Sequence, residues 1–203
     1  EEIKTGDLIA DFSGKTACLL KGERTALNLL QHMSGIATAT NNAVKLIDGT
    51  NASVADTRKT LPGLRALQKY AVTVGGGKNH RYNLSDGVML KDNHIDACGS
   101  ITAAVEKVRK NLGHMVKIEV ETRNLDEVKE AVDTGVEVIM LDNMSNDEMA
   151  QAVEYVNGRA LLEASGNITA QTIKAVAQTG VDIISIGALT HSVKAFDISM
   201  KIK

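Results

Sequence analysis

Six short apolar runs, each followed by an amphipathic segment, constrain this chain more than any other feature of it. The runs cover 52–56, 87–91, 117–122, 136–142, 160–165 and 183–188. Several are apolar at successive positions, as parallel strands covered on both faces must be. Between them, 100–113, 125–135, 146–157 and 169–180 place apolar residues at helical spacing. Leu125, Val128 and Val132 share one face, and two of the four segments close on Thr-Gly. The runs end near 58, 91, 121, 142, 165 and 187, and the later steps of 21 to 23 residues each fit one short βα unit. This alternation predicts an α/β fold with a parallel sheet. No GxGxxG follows the first run, which speaks against a dinucleotide-binding open sheet. A TIM-like α/β barrel of about six βα units is the expected architecture.

Residues 1–51 follow another plan and read as the remnant of an N-terminal α/β domain with a connecting helix. Residues 7–20 are expected as short strands turning at Ser13-Gly14, and 23–48 as a long helix interrupted near Ser34-Gly35. The tail, 196–203, is expected as a strand returning to the N-terminal part. The domain boundaries predicted on this basis are 1–34, 35–193 for the barrel and 194–203.

Charge is distributed unevenly. The chain carries a net −2, yet the window from Arg58 to Lys91 holds seven Lys or Arg (Arg58, Lys59, Arg65, Lys69, Lys78, Arg81, Lys91) against Asp86 alone. An acidic whole with one basic island argues against nucleic acid or an anionic membrane as partner and for a local anionic ligand. Two cysteines, Cys18 and Cys98, far apart and without CxxC spacing, imply neither a metal site nor a disulfide framework, and fit a cytoplasmic protein. No apolar run approaches the length of a membrane span.

In an α/β barrel the C-terminal strand ends converge on the face where catalysis occurs. The first run ends in Asp56-Thr57-Arg58-Lys59 and the second in Lys91-Asp92-Asn93-His94. The third ends in Glu121, the fourth in Asp142-Asn143, the fifth in Glu163-Ala164-Ser165-Gly166 and the sixth in Gly187, with Thr190-His191-Ser192 beyond. Charged strand ends can be helix caps or solvated rim groups; four in succession after buried runs point instead to a site. Arg58, Lys59 and Lys91, with His80 and Arg81 before the second run, form an expected cationic pocket, since guanidinium groups grip carboxylate or phosphate through paired hydrogen bonds. Glu121 and Asp142, expected on the opposite side of the ring, suit Mg²⁺, ribose hydroxyls or acid–base work. Ser165-Gly166 and Gly187-Ala188 offer backbone N–H groups to a phosphate. The residues thus describe a barrel enzyme for a multiply anionic small molecule and a phosphorylated partner.

The stretch DTRKTLPGLRALQKYAVTVGGGKNHRYNLSDGVMLKDNHI at 56–95 closely resembles the quinolinate phosphoribosyltransferase family. The resemblance continues through GERTALNLLQHMSGIAT (22–38), KIEVET (117–122), MLDN (140–143), EASGNI (163–168) and IGALTHS (186–192). It implies transfer of phosphoribosyl from PRPP to quinolinate with loss of pyrophosphate and CO₂, giving nicotinate mononucleotide for NAD biosynthesis, with Mg²⁺ as cofactor. It further implies that Arg58, Lys59, His80, Arg81 and Lys91 bind the two carboxylates and nearby phosphate. Lys59, Lys91, Glu121 and Asp142 would be the catalytic set, with Glu121 and Asp142 meeting the metal and the ribose. Ser165, Gly166, Gly187 and His191 would cradle phosphate. Arg24 would enter from the other subunit of a homodimer, or of a higher oligomer, with shared sites. The family carries a further N-terminal segment, of which residues 1–20 resemble the end. Two rivals share part of this reading: a related phosphoribosyltransferase that uses another substrate, and an inactive barrel that only binds a phosphorylated metabolite.

Overall fold

The computed structural model describes residues 2–202; Glu1 and Lys203, the outer limits of the first and last expected segments, lie outside it. A long helix α1 (Thr16–Leu46) leads into six strands: β1 (Ser53–Ala55), β2 (Val88–Leu90), β3 (Ile118–Thr122), β4 (Val138–Asp142), β5 (Leu161–Ser165) and β6 (Ile183–Ser185). Between them run α2 (Arg65–Val74), α3 (Asp92–Cys98), α4 (Ile101–Arg109), α5 (Leu125–Asp133), α6 (Asn146–Val156) and α7 (Ile173–Gln178), and α8 (Ala188–His191) follows β6. All six expected strands form, each inside its predicted run. Among the described residues no helix is long and apolar enough to cross a membrane.

The strands pair in parallel in the order β1-β6-β5-β4-β3-β2. Between β1 and β2 the segment around Lys78 continues the ladder. Lys78 N–H donates to Val54 O at 2.8 Å, and Asp56 N–H donates to Lys78 O at 3.1 Å. The sheet curls far enough that the ring of His80 reaches Glu119 on β3 and Glu163 on β5 at once, at 3.1 and 3.3 Å. Strands that are not neighbours meet across the interior, so the sheet forms the expected barrel.

Alternation along each strand sorts the side chains. Val54, Leu90, Val120, Ile139, Leu141, Leu162 and Ile184 point outward and are buried beneath the helices, against residues such as Ile101, Val128, Met149 and Ile173. Each such aliphatic side chain contributes about 1.5–3 kcal/mol by burial. The helices are started locally: Ser100 Oγ, Asn124 Oδ1 and Ser145 Oγ each accept the backbone N–H three residues on, caps worth about 1 kcal/mol each.

Three expectations about the ends are corrected. Residues 7–15 form no strand; they are exposed throughout, and a strand without a neighbour leaves its N–H and C=O groups unpaired. The helix α1 passes through Ser34-Gly35 without a break. Gly35 serves proximity instead: a Cβ there would stand 2.3 Å from Lys194 O and 2.7 Å from Val193 Cγ1, where the C-terminal segment crosses the helix. That segment is not a strand either. It is an extended strap on α1, held by Phe196 N–H on Gln31 O (3.0 Å) and Gln31 Nε2 on Ile198 O (2.7 Å).

Candidate active site

The same alternation that buries the outward residues aims Lys91, Glu121, Asp142, Ser165 and Gly187 inward at the C-terminal rim. Strand register makes Asp142 the partner of Ser165 and Glu121 the partner of Met140, two residues below Asp142. The two carboxylates therefore stand diagonally on adjacent strands.

Arg58 and Arg81 come together although 23 positions apart. Arg81 is fixed at its own end, Nη1 donating to Gly87 O at 2.8 Å. Burial, and then the neighbouring Arg58 charge, hold the Arg81 guanidinium below the usual arginine range. The Nε of Arg58 is buried without a hydrogen-bond partner. The Arg58 charge is near enough to act against Arg81, and Arg58 holds an unmet buried donor; an anion relieves both penalties. Lys59 reaches a different place. A Cβ on Gly187 would lie 3.0 Å from Lys59 Cδ and 3.1 Å from His191 Nε2, so the Lys59 stem and the His191 ring converge over the bare backbone of Gly187.

Beside them, the loops after β4 and β5 interlock. Asn143 (φ 54°), Gly166 (φ 98°) and Asn167 (φ 49°) all adopt left-handed backbone. Asn143 Nδ2 donates to Asp142 Oδ2 at 2.8 Å, and Asn167 Nδ2 donates to Asn143 Oδ1 at 3.2 Å. A Cβ on Gly166 would fall 2.2 Å from Asn143 Oδ1. Only glycine fits there, and backbone strain concentrated at a strand-end loop is a feature of binding sites.

Two sequence expectations change, and a third residue stands apart from the rim. The cations and carboxylates do not segregate to opposite sides, because Lys91 Nζ forms an ion pair with Glu121 across the β2–β3 junction. His80 is not free to grip a substrate: its Nε2 lies between Glu119 and Glu163, and its Nδ1 accepts the Arg81 N–H at 2.8 Å. The Arg81 N–H needs the lone pair of Nδ1, so the ring proton sits on Nε2, facing the two glutamates, and the ring is neutral in this arrangement. Burial also opposes a charged ring, whereas the two glutamates favour one. Arg24 lies on α1, exposed, and its guanidinium meets only Glu23 at 3.1 Å among the described residues. Nothing within one protomer brings it to the rim.

Several residues of the site carry no assigned role in the sequence alone. Glu119 and Glu163 are inward residues of apolar runs, and their only signal is an acid placed mid-strand. On α2, Arg65, Gln68 and Lys69 follow helical spacing i, i+3, i+4, and all three point into the protein. Arg65 ties two loops by donating to Arg58 O (3.2 Å) and Tyr82 O (3.1 Å). Lys69, fully buried, pairs with Asp56 and donates to His80 O at 2.9 Å. Asp56 in turn accepts the His80 N–H at 2.9 Å. Burial pushes the Asp56 carboxyl up, and Lys69 with that N–H pulls it back. A cavity of about 310 Å³ opens at the other end of the barrel, lined by Ser53, Lys78 and Asp182 and reaching His80 and Glu163.

Comparison with known proteins accords with this geometry. The family described as Quinolinate phosphoribosyl transferase, C-terminal domain, matches residues 36–201, and the corresponding N-terminal domain matches 1–34. The probable nicotinate-nucleotide pyrophosphorylase [carboxylating] of Bacillus subtilis is 51% identical over 197 residues, covering 97% of this chain and 68% of that protein. The quinolinate phosphoribosyltransferase [decarboxylating] 2b, mitochondrial, of Nicotiana tabacum is 45% identical over 221 residues, covering all of this chain and 62% of that one. The crystal structure of NadC from Streptococcus pyogenes superposes with a TM-score of 0.96 at 47% identity, covering 99% of this chain and 70% of the other. The chain thus spans about two thirds of the length of these relatives.

Proposed function

The chain belongs to the quinolinate phosphoribosyltransferase family, and from that premise we propose that it transfers the phosphoribosyl group of PRPP to quinolinate, releasing pyrophosphate and CO₂. The observation that carries the substrate is the Arg58–Arg81 pair: two guanidinium groups forced together, with an unmet buried donor, match a ligand bearing two adjacent carboxylates. A monocarboxylate would leave part of that repulsion standing.

In the reaction the ring nitrogen attacks C1 of the ribose as the bond to pyrophosphate breaks. The 2-carboxylate then leaves as CO₂, its electron pair passes into the cationic ring, and a proton takes its place. Oxocarbenium character at the ribose is met by Glu121 and Asp142, inward and diagonal at the rim. Lys59 and His191 stand over Gly187 and receive phosphate oxygens with the backbone there. Left-handed backbone at Gly166 and Asn167 gives a second close approach beside Ser165. His80, its Nδ1 accepting the Arg81 N–H and its Nε2 facing Glu119 and Glu163, holds the backbone that carries Arg81 without touching the dicarboxylate.

Magnesium fits this set. Glu121 and Asp142 are hard oxygen donors on adjacent strands, neither fully buried, as an ion that keeps part of its hydration shell requires. Bound there, it would offset charge growing on the pyrophosphate. The Lys91 ammonium, paired with Glu121, stands at the same rim and would face the second carboxylate of quinolinate. We also infer a dimer in which Arg24 of one protomer completes the site of another, since it projects from α1 with only Glu23 beside it. A cytoplasmic setting suits the two unbridged thiols, Cys18 and Cys98.

The test is to incubate the full-length protein with PRPP, Mg²⁺ and carboxyl-labelled quinolinate. Labelled CO₂ should appear in step with pyrophosphate. Turnover of nicotinate with no CO₂ from quinolinate would overturn this assignment in favour of a related phosphoribosyltransferase.

A further inference from the structure

Gln68 is an uncharged side chain with no exposed surface, and it uses nearly its whole amide. Oε1 accepts Leu61 N–H at 2.8 Å, and Nε2 donates to Thr190 O at 2.9 Å. The same Nε2 lies 2.7 Å from His32 Nε2 on α1. Thr190 completes the connection, its hydroxyl donating to Lys59 O at 2.8 Å. Leu61 and Lys59 belong to the loop after β1, which carries Arg58. Thr190 belongs to α8, which carries His191 and follows Gly187. One amide and one hydroxyl therefore cross-link the loop that bears the cationic clamp to the loop that approaches phosphate.

The chemistry of the position is demanding. A carboxylate would lose both donors, a methionine would fill the same volume without any polar atom, and asparagine is one methylene short. A purely space-filling role would need none of the three hydrogen bonds, whereas loss of the amide leaves the buried Thr190 C=O and the part-buried Leu61 N–H without that partner.

We infer that Gln68 is a positioning residue that holds the dicarboxylate loop and the phosphate loop in one register, so that filling either subsite organises the other. This rests on the substrate reading above. Ordering one loop by a ligand removes part of the cost of ordering the loop bonded to it, which is positive coupling between the two sites.

The experiment uses phthalate, which has the two adjacent carboxylates but no ring nitrogen to accept a ribosyl group. Its affinity is measured by calorimetry on the full-length protein, without and with saturating PRPP and Mg²⁺. In the native protein PRPP should tighten phthalate binding by about 10-fold, within the usual range for coupled sites. In Gln68→Met the coupling should fall to within about 2-fold, even though each ligand still binds alone. Thr190→Val, nearly isosteric, should lower the coupling in the same direction and serves if Gln68→Met does not fold. Coupling unchanged in a folded variant, or absent from the native protein while both ligands bind, overturns the role of Gln68. Failure of the native protein to bind either ligand overturns the substrate reading instead.

Discussion

Arg81→Ala should raise the KM for quinolinate by about 100-fold or more while changing the KM for PRPP by less than about 5-fold, because a charge-assisted, two-point contact to carboxylate is worth about 3 kcal/mol. The argument begins with how Arg81 is held. One guanidinium nitrogen is committed to Gly87 O, and the backbone N–H is committed to His80 Nδ1, so the remaining donors are aimed before substrate arrives. The neighbouring Arg58 charge makes the empty pocket costly and the occupied one favourable. Truncation therefore has two opposite consequences. It removes a substrate contact, and it relieves repulsion, so the unliganded variant should unfold no more easily than the native protein. Steady-state kinetics with each substrate varied in turn, together with a thermal melt, tests both. Equal rises in the two KM values would end the division of labour between the cationic clamp and the phosphate loops.

The largest stability effect is expected at Lys69. Its ammonium is 2% exposed beside an Asp56 carboxylate that is fully buried. Removing one member of such a pair leaves a buried charge without a partner and costs about 3–5 kcal/mol. Lys69→Met should therefore lower the melting temperature by roughly 10 °C in a chain of this size. Activity should suffer before unfolding does, because Lys69 and Asp56 together hold the C=O and N–H of His80, next to Arg81. Adding Asp56→Asn to Lys69→Met should recover part of the lost stability, since the orphaned charge is then gone. A single substitution costing less than about 1 kcal/mol would mean that water or a neighbour already solvates the pair.

Much of the fold could be read from the residues because its signals are local. A strand buried on both faces must be apolar at successive positions, and a helix laid on it must be apolar at every third or fourth. All six strands and α4 to α7 follow from that alone. The rim residues were also legible, since a charge closing an apolar run can only stand where the strand leaves the core. Helix α2 was missed because its inner face sets Gln68, Lys69 and the half-buried Arg65 beside Ala71 and Val72. A polar stripe reads as a solvated face unless its partners are known. The end segments were misread for a related reason: residues 7–15 have β-like composition, but a strand exists only if another strand is there to pair with it.

The basic island between Arg58 and Lys91 shows where sequence ends and tertiary structure begins. By themselves the residues determined that charged side chains gather at the C-terminal rim of a parallel sheet, because period-two alternation fixes which side chains face inward. They did not determine how the charges pair. Lys91 meets Glu121, Lys69 is withdrawn to Asp56 and His80 turns down between two glutamates, while Arg58 acts on Arg81 and Lys59 stands over Gly187. Those partnerships join residues 13 to 83 positions apart and depend on how far the sheet curls. Electrostatic energy falls with distance in space and not along the chain, so only the closed barrel could decide which cations remain for the substrate.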